Sequence, residues 1–170
     1  MPTSRLPFED TLTPKALTTL GLLMATAANC EAGLFFQALR FHGPAPSTAA
    51  VQSMSGQELR VRLKGIRDMA AMRFGKTEAA SVKAACDRVE KAYEKRHIFA
   101  HSMMCAKTND PETLIVMTTK VGAAFPLPQE WPLEQIAKLA VAIHRSVVEL
   151  QDCLTEVGIP LLHPPSEPSI

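Results

Sequence analysis

Residues 78–103 read EAASVKAACDRVEKAYEKRHIFAHSM, and the expected architecture turns on how that stretch is taken. It lacks Pro and Gly and is rich in Ala, Lys and Glu, residues that lose little freedom on entering a helix. Val82, Cys86, Val89, Tyr93, Arg96, Ala100 and Met103 recur at alternating steps of four and three, the spacing of one helix face. Six of those seven positions are apolar or semi-apolar, and the exception is Arg96. Arginine stays charged at any physiological pH, and burying it unpaired is costly. Arg96 is therefore expected to snorkel to water, to pair with an acid, or to line a polar site.

Working outward, three more helices are predicted. Thr13-Pro14 is a start signal, an N-cap Thr followed by Pro at the first helical position. The helix it opens runs to about Phe41, before His42-Gly43-Pro44, with a seam of Leu17, Leu20, Met24, Ala28, Glu31, Phe35 and Ala38. Glu31 breaks that seam as Arg96 breaks the other. Either the two charges meet inside the bundle, or Glu31 faces a solvent gap and Arg96 snorkels. His42 to Ser53 reads as a loop. A second helix spans about Gln57 to Phe74, with Leu59, Leu63, Ile66 and Ala70 inward. Gly75-Lys76-Thr77 separates it from the motif helix, with Thr77 as N-cap. The last helix starts near Pro132, and its seam is unbroken by charge: Ile136, Ala140, Ile143, Val147, Leu150, Leu154 and Val157. Gly158-Ile159-Pro160 ends it. Between the last two helices, Asn109-Asp110-Pro111 is a turn signal and Leu114 to Thr119 is β-prone, which predicts a short hairpin or an extended loop.

These elements imply an all-α fold, an antiparallel four-helix bundle with a short β-hairpin before the last helix. The expected layout is an N-terminal extension over 1–13, one bundle domain over 14–158 and a disordered Pro-rich tail over 159–170. A chain of 170 residues with 46% hydrophobic and 21% charged residues suits a single globular domain. There is no internal repeat. The net charge of +1 gives no general attraction to nucleic acid. Cys30, Cys86, Cys105 and Cys153 are scattered without a paired spacing, and three fall inside predicted helices. That predicts free buried thiols and a cytoplasmic protein. Glu9 and Asp10 precede the first apolar stretch, unlike a secretory leader. Asn29, Glu31 and Gln37 interrupt that stretch, so it is read as a bundle helix and no membrane partner is expected.

An Arg-x4-His unit late in the third helix of four, Arg96 to His101, resembles the motif of the HEPN superfamily. In that family the residue after the Arg is usually polar, and here it is His97. Ile98-Phe99-Ala100-His101-Ser102 is also similar to the motif ends of many family members. The resemblance implies a homodimer through the motif helices and a metal-independent endoribonuclease of a toxin or defence system. It further implies an RNA substrate, an antitoxin protein as partner and no cofactor. On that pattern His101 is the general acid/base at an RNA 2'-hydroxyl, Arg96 holds the scissile phosphate and His97 is a supporting polar residue. Met103 stands where toxins modified by a partner nucleotidyltransferase carry Tyr, so that subtype is not implied. Histidine exchanges protons near neutral pH, and arginine presents a fork that matches phosphate oxygens. Five helical steps are about 140° of rotation, so Arg96 and His101 cannot share a face of one continuous helix. That spacing suits a dimer cleft or a helix that ends between them.

Two other readings use neighbouring residues. His97 and His101 are spaced i, i+4, workable for zinc, with Cys105 next if the helix continues. No acid or further Cys completes the set in sequence, so no metal is expected. Arg60, Lys64 and Arg67 share a face of the second helix, with Arg62, Arg73 and Lys76 nearby. Such a stripe either tracks an RNA backbone or is a solvated helix face. No aromatic cluster accompanies it. Gly-rich phosphate loops, Gly-x-Ser-x-Gly and paired carboxylates are absent from the sequence. The alternative function is a non-catalytic dimeric helical scaffold or regulatory module.

Overall fold

The computed structural model of the chain describes residues 12–118 and 127–162. The expected extension up to residue 11, Thr119 and the tail beyond residue 162 lie outside the described residues. In chain order the elements are α1 (Pro14–Leu39), a 3-10 turn (Arg40–His42), α2 (Thr48–Met54), α3 (Leu59–Arg73), α4 (Lys76–Ala100), β1 (Met103–Lys107), β2 (Asp110–Thr118), β3 (Leu127–Pro132) and α5 (Leu133–Glu156). Among the described residues, five helices and a three-stranded antiparallel sheet make this an α+β fold, which corrects the expected all-α four-helix bundle. The described residues form two compact units, one within Met1–Ala27 and Tyr93–Ala142, the other within Ala28–Ala92 and Ile143–Ile170.

The first unit holds the sheet, ordered β1-β2-β3. Met104 pairs with Val116 and Cys105 with Ile115, and a bulge between Ala106 and Lys107 lets Lys107 face Asp110 across a two-residue turn. The Asp110 carboxylate accepts from the Thr113 hydroxyl (2.7 Å) and from the Glu112 N–H (3.1 Å). It thereby closes the turn with its own side chain. Leu114 and Val116 are fully buried while Ile115 and Met117 are half-exposed, the alternation of a strand with one face inward. The hairpin is as the sequence predicts; β3 is not. Pro128 and Pro132 lie on β3, which is an edge strand of the sheet, the kind of strand in which proline is tolerated.

In the same unit Phe99 on the last turn of α4 is buried and meets Trp131 on β3 edge-to-face, ring centroids 4.9 Å apart. Tyr93, also buried, donates its hydroxyl to the Ala27 carbonyl (2.8 Å). The α4 seam follows prediction through Val82, Cys86, Val89 and Tyr93, then passes to Phe99, leaving Ala100 and Met103 exposed. Replacing Phe99 by Leu should cost about 1–2 kcal/mol, from lost ring contact and imperfect refilling. Urea unfolding followed by fluorescence of Trp131, the chain's single Trp, checks it. An unchanged midpoint would mean the contact contributes nothing.

Thr13 caps α1 as expected, its hydroxyl accepting from the Ala16 N–H at 3.1 Å. The buried side of α1 keeps Leu20 and Ala38 of the predicted seam and is shifted by one residue at its other positions. It is Ala16, Leu20, Leu23, Ala27, Cys30, Leu34 and Ala38, while Leu17 is 55% exposed. The helix is apolar on nearly every side, so periodicity alone leaves its rotation open by one residue, about 100°. Among the described residues, Pro14–His42 is long and apolar enough to cross a membrane by length and composition, its qualifying 18-residue window having a mean hydropathy of 1.3, despite Asn29, Glu31 and Gln37.

In the second unit α2 replaces part of the expected loop. Ser47 caps it by accepting from the Ala50 N–H (3.2 Å), and Met54 anchors it. Seven residues with one buried anchor leave no periodicity to read. On α3, Leu63, Ile66 and Ala70 are buried as predicted. Thr77 lies inside α4 rather than capping it. The α5 seam from Ile136 to Leu154 is buried throughout, with Val157 half-buried. The helix ends in a Schellman motif: Gly158 (φ 85°) donates to Thr155 (3.0 Å) and Ile159 to Leu154 (2.9 Å). Ile159 is buried and the Pro160 carbonyl is a hydrogen-bond acceptor.

The buried Pro160 contact belongs to Arg40, which is only 2% exposed. Its Nε donates to the Pro160 carbonyl (3.0 Å), Nη1 to Gln37 Oε1 (2.8 Å) and the Gln151 carbonyl (3.3 Å), and Nη2 to Thr155 Oγ1 (2.9 Å) and the Ile159 carbonyl (2.5 Å). A guanidinium has five N–H donors, and here all are used. Its acceptors cluster at the C-terminal end of α5, where helix carbonyls lack intrahelical partners and the dipole favours a cation. Burial still pulls the Arg40 pKa down from its ordinary value.

All four cysteines are free. Burial raises the thiol pKa of Cys30 and Cys153, and pushes that of Cys86, which has no exposed surface, up to about 12. At pH 8 such a thiol is ionised in about one molecule in ten thousand, and the thiolate is the nucleophile. Iodoacetamide should leave Cys86 unmodified in the folded protein and modify it in concentrated guanidinium, as peptide mass spectrometry would show. Rapid labelling of the folded chain at Cys86 would contradict the packing.

Candidate functional site

The residues singled out by sequence divide between the two units. Arg96, His97 and His101 lie in the first, and Glu31, Arg60, Lys64 and Arg67 in the second. The site geometry is therefore built from the first three.

α4 ends at Ala100, and His101 and Ser102 form a bend before β1 starts at Met103. The helix thus ends between Arg96 and His101, one of the two arrangements that their spacing allows. Burial of Phe99 against Trp131 fixes the last turn, and β1 draws the chain away into the sheet. His97 and His101 are both exposed, with ring centroids 4.4 Å apart and planes inclined by 56°. Arg96 is half-buried and engaged with its surroundings. This gives two solvent-facing imidazoles at the end of a helix whose last turn is packed through Phe99 on Trp131, with the half-buried Arg96 preceding His97 in sequence. Chemically, the imidazoles can accept or donate protons, and the guanidinium can bind an oxyanion.

Glu31 is half-buried and likewise engaged through its side chain or backbone; its carbonyl accepts from Arg62 Nη1 (2.9 Å). The basic stripe on α3 is matched by acids. Arg67 binds Asp87 (2.8 Å) and Glu90 (2.6 Å) on α4, Arg60 lies 3.7 Å from Glu90, and Lys64 binds Asp68 (2.5 Å). Burial works to lower the Arg67 pKa, but the hydrogen bond it donates to Glu90 and the surrounding negative charge outweigh it and raise the value. The hydrogen bond from Lys83 holds the Asp87 carboxyl below its usual range. Arg62 caps the Phe35 ring at 5.7 Å, and Arg73 Nη1 donates to the Phe41 carbonyl (3.4 Å). Arg60, Lys64, Arg67 and Lys83 share the three carboxylates of Asp68, Asp87 and Glu90, which offsets most of the positive charge of these four cations.

Sequence reading missed two features. One is the bend at His101-Ser102 that ends α4, which helical periodicity does not encode, although the i, i+4 spacing already implied that the two rings lie close. Arg40 was placed within a helix, whereas its acceptors include carbonyls more than a hundred positions away. Among the described residues, no group of three or more His, Cys, Asp or Glu is placed to hold a metal ion. Comparison with family models, with curated proteins and with solved structures finds no match for the chain.

Proposed function

We propose that the chain is a metal-independent endoribonuclease with its site at the end of α4. The observation that supports this reading most is the exposed His97–His101 pair, 4.4 Å apart, where the Arg-x4-His motif meets the end of the helix. His101 takes the proton from an RNA 2'-hydroxyl, Arg96 binds the phosphate under attack, and His97 positions and polarises its neighbour. The reading rests on the HEPN-like motif, not on a four-helix bundle. It carries with it a homodimer through the motif helices, a cytoplasmic location and, in a toxin system, an antitoxin partner. Attack by the 2'-hydroxyl forms a bond to phosphorus, expels the 5'-oxygen, and leaves a 2',3'-cyclic phosphate and a 5'-hydroxyl. Mass spectrometry of RNA fragments made in excess EDTA should show those ends. Fragments ending in 3'-hydroxyl and 5'-phosphate would contradict the reading, as would intact RNA.

One observation favours the second reading, a non-catalytic dimeric scaffold or regulatory module. Arg60, Lys64 and Arg67 each meet a carboxylate, so α3 offers no bare basic track for an RNA backbone.

A further inference from the structure

We propose that His97 and His101 form a two-point binding site for a divalent transition-metal ion, copper or nickel in preference to zinc. This goes beyond the nuclease reading and does not depend on it.

Metal–nitrogen bonds to imidazole are about 2 Å long, which puts each ring centre about 3 Å from the ion; two rings side by side on one ion then sit about 4.5–5 Å apart. The observed 4.4 Å separation is within small side-chain rotations of that geometry. Both rings are exposed, so an ion reaches them without opening the fold. The support beneath them is fixed, because Phe99 between them in sequence is buried on Trp131. Less ordering is therefore left to pay on binding.

The identity of the ion follows from what the site lacks. No third His, Cys, Asp or Glu joins the pair among the described residues. Structural zinc takes four protein ligands, whereas water can complete the shell of copper(II) or nickel(II). Copper(II) stands highest in the affinity order for nitrogen ligands. His144, exposed on α5 in the other unit, provides an internal control. One consequence does rest on the nuclease reading: an ion on the His101 nitrogen occupies the lone pair needed for proton transfer, so occupancy and cleavage exclude each other.

Calorimetric titration of the full chain with nickel(II) chloride tests the site. The wild type should bind one ion per chain, His97→Ala and His101→Ala should each bind at least tenfold more weakly, and His144→Ala should match the wild type. Circular dichroism confirms folding of these surface variants. Absence of saturable binding, or binding undiminished in His97→Ala, would overturn the proposal. Neither result depends on RNA cleavage.

Discussion

Arg40→Ala should lower the unfolding free energy by about 3–5 kcal/mol, the range for breaking a buried, hydrogen-bonded charge network. The substitution removes the guanidinium donors from the carbonyls of Gln151, Ile159 and Pro160 and from the side chains of Gln37 and Thr155, although Thr155 still donates to the Gln151 carbonyl and Gln37 to the Gln151 side chain. It also empties the volume of a side chain that is almost wholly buried. Arg40→Lys should recover only a small part, because an ammonium has three donors and no planar fork. Thr155→Ala, which removes a single acceptor, should cost about 1 kcal/mol. Urea denaturation at constant slope gives all three values. An Arg40→Ala loss below about 1 kcal/mol would mean that water takes over the carbonyls at little cost.

Arg40 shows where the sequence stops being legible. Its position in the last turn before Gly43 is an ordinary helix-end arginine. Nothing local indicates that its acceptors lie beyond the end of α5. By contrast, α3 and α5 were readable because each has one apolar stripe on a polar cylinder, so burial at Leu63, Ile66 and Ala70, or from Ile136 to Leu154, could be assigned directly. α1 has no such contrast, and its rotation was missed by a residue. The β1–β2 hairpin was visible through its turn residues, although the turn closes at Thr108-Asn109, just ahead of Asp110-Pro111. β3 was hidden by its prolines, and with it the sheet that changes the fold class. At the site, the Arg-x4-His spacing was readable and the end of the helix between its members was anticipated as one option. The neutralised stripe was not, because Asp87 and Glu90 sit some twenty residues downstream on α4.

His101→Ala should reduce RNA cleavage by about a hundred- to ten-thousand-fold, the usual contribution of a positioned general acid/base. Arg96→Ala should cost about a hundred- to a thousand-fold, the scale for removing one donor to a developing oxyanion. The two losses should not multiply, since groups acting on one transition state are strongly non-additive. His97→Ala should give a smaller loss, because its ring acts through His101. The exposure of His97 and His101 makes these variants safe for folding. Arg96 is half-buried and engaged, so its variant needs a matched thermal unfolding curve.

The most direct measurement is cleavage of structured and single-stranded RNAs in excess EDTA by the wild type, Arg96→Ala and His101→Ala, each verified as folded and sized by native mass spectrometry. The account predicts that the wild type cuts in EDTA and that neither variant does. A well-folded wild-type dimer that leaves every RNA intact would contradict it and would make the α4 end a binding surface.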